Sequence, residues 1–117
     1  MGIVYHANYL VWCEIGRTEY MRAAGVAYSD LERTGMILVV ADARVRYHAG
    51  AQYDDVIRID TTLSAVRSRA IAFDYIVSNA NTGERLVTAH TTLVCLDGRR
   101  KAVLLPPTLR AALEALG

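Results

Sequence analysis

Up to Gly35 the apolar residues of this chain fall at helical spacing, and beyond it they fall at every second position. A single change of period in that direction leaves few folds open: an N-terminal helix has to bury its apolar face against a sheet built from the residues beyond Gly35. From Asn8 to Ala24, the residues Tyr9, Trp12, Cys13, Gly16, Tyr20 and Ala23 recur with the helical period, with Glu14, Arg17, Glu19 and Arg22 interleaved. Asn8 is the expected N-cap and Gly25 the expected residue just past the C-terminus. Gly16 inside the helix costs about 1 kcal/mol relative to Ala, which predicts a close approach to a curved sheet.

Ser29-Asp30-Leu31-Glu32 has the spacing of a capping box and predicts a short second helix ending at Gly35. The strands expected after it are Met36 to Tyr47, Val56 to Val66, Ala70 to Ser78 and Arg85 to Leu96, with Lys101 to Leu105 as a shorter fifth. Asn81-Thr82-Gly83 and Asp97-Gly98 supply hairpin-type connections. Ile71, Phe73, Tyr75 and Val77 alternate with Asp74, so the sheet is expected to bury one side. Thr108 to Leu116 reads as a short amphipathic helix behind Pro106-Pro107. The pattern is α+β, in one domain over residues 1–117, without internal repeats.

At 117 residues, 53% hydrophobic and 21% charged, the chain can bury one core, and with 2 Pro and 8 Gly it is expected to be ordered throughout. A formal net charge of +1 gives no general case for binding nucleic acid. No apolar run approaches the ~20 residues of a membrane span, and no secretory signal pattern is visible, so a cytoplasmic location is expected. Cys13 and Cys95 lie among apolar neighbours without ligand spacing and read as free, buried thiols. His48 and His90 have no carboxylate or Cys at ligand spacing, and Asp54-Asp55 reads as a turn, so no metal is assigned.

The opening run Gly2-Ile3-Val4-Tyr5-His6-Ala7-Asn8-Tyr9 resembles the signature of the hotdog-fold acyl-CoA thioesterases. In the 4-hydroxybenzoyl-CoA thioesterase and Tol-Pal-associated branches that signature reads Asp-x-x-Gly-(Ile/Val)-Val-Tyr-x-x-Asn-Tyr. Val39 to Asp55, Val66 to Phe73 and Val94 to Pro107 also look like segments of this family. The resemblance implies a hotdog fold, an antiparallel sheet wrapped around a central helix, here lacking the family's first strand. The signature Asp, which serves there as nucleophile or general base, would fall two positions upstream of Met1. Also implied are hydrolysis of an acyl-CoA to free acid and coenzyme A, no metal or organic cofactor, and a homodimer or homotetramer with its site between protomers.

Thioester hydrolysis needs a base or nucleophile at the carbonyl carbon and donors aimed at the oxygen, which gains negative charge in the transition state. The unpaired N–H groups of a helix start supply such donors at the positive end of the dipole. By resemblance, the backbone around His6 polarises the carbonyl, and the His6 ring has a secondary role. Tyr5, Asn8 and Tyr9 are candidate substrate contacts. Tyr5 and Tyr9 read equally well as core or interface rings, and Asn8 as a cap.

Glu14 is the carboxylate that could stand in as base, although an ion pair with Arg17 explains it as well. Arg67, Ser68 and Arg69 are candidate contacts to the phosphates of coenzyme A, since the family has a basic segment at the matching place and Arg suits phosphate geometry. Arg99-Arg100-Lys101 has only its charge in its favour. The alternative from another class is a non-catalytic acyl-CoA-binding or scaffold protein. A hotdog dehydratase would need a His and a carboxylate in a different glycine-proline setting, and that pattern is absent.

Overall fold

The structure, a computed structural model, describes the backbone of residues 6–23, 25, 31, 33–49 and 56–116, and the side chains of these from 11 to 115. Helix α1 (His6–Ala23) comes first, followed by strands β1 (Ile37–Tyr47), β2 (Ile57–Val66), β3 (Ala70–Asn79) and β4 (Arg85–Leu96), and then helix α2 (Pro107–Leu116). The four strands form one antiparallel sheet in the order β1-β4-β3-β2. Their bounds follow the alternation of the sequence to within a residue. Ile71, Phe73, Tyr75 and Val77 are buried while Asp74 and Ile76 are exposed, so the sheet buries one face as expected.

Helix α1 already includes His6 and Ala7, so Asn8 stands inside the helix and not at its cap, because nothing in His6-Ala7 opposes helical dihedrals. At the other end Gly25 has φ +80° and its N–H bonds the Arg22 carbonyl at 2.9 Å, the expected left-handed termination. The capping box at 29–32 and Asp54-Asp55 lie outside the described residues apart from Leu31, which is helical and buried.

The fifth strand does not form. Residues after β4 turn tightly through Asp97, whose Oδ1 accepts from the N–H of Arg99 (2.8 Å) and Lys101 (3.1 Å), and Arg100 takes the left-handed conformation. The chain then makes one bridge, Ala102 to Leu96. Most of β4 is already paired on both sides, by β1 and β3, so only its last residues can accept another neighbour. Pro107 opens α2, where its missing N–H is not needed, and Leu109 and Leu113 join Leu105 in the main core.

Gly16 carries the contact between α1 and the sheet. A Cβ built there would overlap Thr61 Oγ1 and lie 2.9 Å from Ile59 Cγ2 on β2. Either side of it, Trp12 packs with Ile57 and Ile59 around Val77, Leu86 and Val87, and Tyr20 meets Phe73 edge-on with ring centroids 5.5 Å apart. Gly16→Leu is expected to lower unfolding free energy by about 1–3 kcal/mol, read as a lower urea midpoint. A wild-type midpoint in that variant would contradict the close approach.

Candidate active site

The first N–H groups of an α-helix have no partner within it, and the described part of α1 begins at His6. The residue around which the donors are expected thus opens the described part of α1. Tyr5 lies outside the described residues, and of His6, Asn8 and Tyr9 only the backbone is described. Glu14 is exposed, about 12 Å along the helix from His6, and makes no ion pair or hydrogen bond among the described residues.

The pairing of Glu14 with Arg17 fails because Arg17 points the other way. Only 8% of Arg17 is exposed; its Nη1 donates to Tyr75 Oη at 3.1 Å, and Tyr75 Oη shares a 2.7 Å hydrogen bond with Thr91 Oγ1. Charge patterning alone puts Arg17 on the polar side of α1. In the structure it follows Cys13 and precedes Met21 at intervals of four, along the stripe that α1 buries. Burial raises the Tyr75 phenol above its ordinary value, and its hydrogen bonds to Thr91 and Arg17 oppose that rise.

Neither cysteine suits a nucleophile. Burial pushes the Cys13 thiol up to about 11, with the Arg17 guanidinium pulling the other way, and burial raises Cys95 as well. A thiol so raised holds little thiolate near neutrality. Both are free and buried, as expected.

Arg67, Ser68 and Arg69 form the exposed turn between β2 and β3, closed by Arg67 N–H to the Ala70 carbonyl at 2.8 Å. Neither guanidinium has a partner among the described residues. The Arg69 carbonyl accepts from Cys95 N–H (3.0 Å) and the Ser68 carbonyl from Leu105 N–H (2.9 Å). These bonds set the turn beside the loop that carries Arg99, Arg100 and Lys101, so two basic runs distant in sequence share one end of the sheet. Spacing along the chain gives no sign of that.

The helix start and the basic end do not meet within one chain. Helix α1 runs along β2, with Trp12 on the Val77, Leu86 and Val87 cluster that Ile57 and Ile59 also cover, Gly16 over Ile59 and Thr61, and Tyr20 against Phe73, whose register partner is Leu63. From Tyr20 back to His6 the helix rises about 21 Å, and from Leu63 on to Arg67 the strand advances about 13 Å. The separation is roughly 30 Å, longer than the pantetheine arm between a thioester and its nucleotide.

One pairing is invisible in the sequence. His90 Nδ1 lies 2.6 Å from Asp74 Oδ1, the residue directly opposite it on β3, on the sheet face turned away from Tyr75 and Ala89. Among the described residues no group of three or more His, Cys, Asp or Glu side chains is placed to hold a metal.

The family model described as the Thioesterase-like superfamily matches residues 1–113. The chain belongs to that superfamily. Its relatives include the acyl-CoA thioesterase YbgC of Haemophilus influenzae, 32% identical over 117 aligned residues that cover 98% of this chain and 85% of the relative. The acyl-CoA thioester hydrolase YbgC of Escherichia coli is 32% identical over 96 residues, 82% of this chain and 71% of the relative. Among solved structures, the DHNA-CoA thioesterase of Staphylococcus aureus superposes with a TM-score of 0.92 at 28% identity, covering 99% of this chain and 80% of that one. The fold of this thioesterase-like chain is accordingly the α+β hotdog fold that its opening motif implied.

Proposed function

We propose that this chain hydrolyses the thioester of an acyl-CoA to the free acid and coenzyme A, in the cytoplasm and without a metal or organic cofactor. The observation that carries the mechanism is the helix start at His6, where the signature segment runs into α1 and leaves unpaired N–H groups for the thioester oxygen. Tyr5, Asn8 and Tyr9 flank that point and line the acyl group, and Arg67, Ser68 and Arg69 hold the phosphates, joined by Arg99 to Lys101. Water attacks with help from a carboxylate, in the family's pattern the Asp two positions ahead of Met1, with Glu14 as the surrogate. Among the described residues no helix is long and apolar enough to cross a membrane.

Because the donors and the basic end are far apart in one chain, the working site belongs to two. Strand β1 is an outer strand of the sheet and exposes Ile37, Val39, Val40 and Tyr47, a template for a further strand. Antiparallel pairing of β1 with its copy runs the two α1 helices in opposite directions. That arrangement sets the helix start of one protomer at the same end as the basic turn of its partner. A homodimer therefore supplies two complete sites.

Thiol release from a panel of acyl-CoA substrates, followed with EDTA present, tests the reaction. The test of the shared site mixes two defective chains, His6→Pro, which lacks a donor, and the double variant Arg67→Ala/Arg69→Ala, expected to raise KM. After exchange of subunits, half the dimers are mixed and each has one intact site, so activity returns to about a quarter of wild type. No recovery on mixing, or a monomer in sedimentation at micromolar concentration, would place the whole site in one chain and reject the proposal.

A further inference from the structure

Arg17 is the only buried charged side chain among the described residues. A buried cation is a poor source of stability even when paired, since well-packed apolar residues of similar size in place of it and its partner are commonly neutral or better. What a guanidinium offers and an apolar side chain does not is direction. The contacts of Cys13, Gly16, Tyr20 and Met21 in the α1 seat are apolar or backbone contacts, which resist separation but only weakly resist sliding or rolling.

The acceptor chain is on the two central strands. Tyr75 belongs to β3 and Thr91 to β4, each of which has a strand on either side. We infer that the Arg17–Tyr75–Thr91 hydrogen-bond chain positions α1 for the thioester reaction, setting the helix along and about its axis so that the donors at its start meet the carbonyl oxygen. Arg17 is a positioning residue in this scheme, acting through a rigid helix over the roughly 16 Å that separate it from His6. The inference rests on the reading that the helix start polarises the carbonyl. A shift of about 1 Å in such donors is enough to lose on the order of 100-fold in rate, so a small loosening of the seat is visible in turnover.

The experiment compares Tyr75→Phe, Arg17→Met, Arg17→Lys and the double variant Tyr75→Phe/Arg17→Met with wild type. It reads kcat, KM for an acyl-CoA, the urea midpoint, and the backbone amide chemical shifts of His6 to Leu10. Tyr75→Phe removes only the hydroxyl and keeps the ring packed against Phe73, so it stays informative if an Arg17 variant does not fold. The expected result is a loss of about tenfold or more in kcat with KM within about twofold and displaced amide shifts at the helix start. The urea midpoint falls in Tyr75→Phe, which leaves a buried guanidinium short of an acceptor, and returns towards wild type in the double variant without a return of kcat. Arg17→Lys recovers part of the rate, and the double variant is no slower than the worse single one.

Unchanged kcat in Tyr75→Phe, or losses that merely follow the urea midpoint, would overturn the inference while leaving the thioesterase reading intact. If wild type releases no thiol from any substrate, that reading fails. The amide shifts then decide the positioning claim: movement at His6 to Leu10 in Tyr75→Phe supports it, and shifts confined to the neighbours of Tyr75 reject it.

Discussion

Replacing His6 by proline lowers kcat by about 10²–10³ while replacing it by alanine leaves kcat within a few-fold of wild type. The described part of α1 begins at His6, and at the first helical position an N–H has no carbonyl inside the helix to serve. Proline is accepted at that position, because its fixed φ suits the helix and the missing N–H breaks no intrahelical bond. The substitution therefore removes one donor and leaves the helix in place. Alanine does the reverse, keeping the donor and deleting the ring. A donor that strengthens as negative charge gathers on the oxygen acts in the transition state, so kcat and kcat/KM should fall together in His6→Pro. Equal losses in both variants would give the chemistry to the imidazole ring, and equal retention would move the donors elsewhere.

Extending the chain so that an aspartate stands two positions ahead of Met1 raises kcat by about 10²–10⁴ and leaves coenzyme A affinity unchanged. In the family's pattern such a carboxylate stands about seven positions ahead of His6 and acts on the carbonyl that the N–H groups polarise. It supplies the attacking oxygen or activates water, whereas the groups proposed to hold the nucleotide, Arg67 and Arg69, are at the far end of the sheet of the same chain and are untouched. Asn in place of the added Asp should return the rate to that of the unextended chain. If the extension has no effect, the base lies within the present sequence, and Glu14→Gln in the unextended chain then shows whether the exposed Glu14 carboxylate is the one.

The elements of this fold are legible in the sequence wherever the signal is local. Alternation along β3 and β4, the glycine that ends α1, and the proline pair at the start of α2 each act through a residue and its near neighbours, and the structure has them within a residue of where the sequence places them. Gly16 is legible too, because a glycine inside a helix requires a contact that a side chain would block. The opening motif points to the superfamily before any strand is paired.

Only the tertiary structure decided what depends on register and on which elements lie side by side. Arg17 reads in the sequence as one of several surface charges, and it is buried because the stripe of α1 facing the sheet meets a tyrosine hydroxyl on β3. Lys101 to Leu105 has strand-like residues but finds β4 already paired on both sides. His90 and Asp74 are 16 residues apart and meet because β3 and β4 pair in one register; a slip of one would turn them to opposite faces. The same pairing brings Arg67 to Arg69 beside Arg99 to Lys101 and sets both at the opposite end from His6. Periodicity and turn chemistry carry information over a few residues, whereas the assembly of a site requires the sum of all the pairings in the sheet.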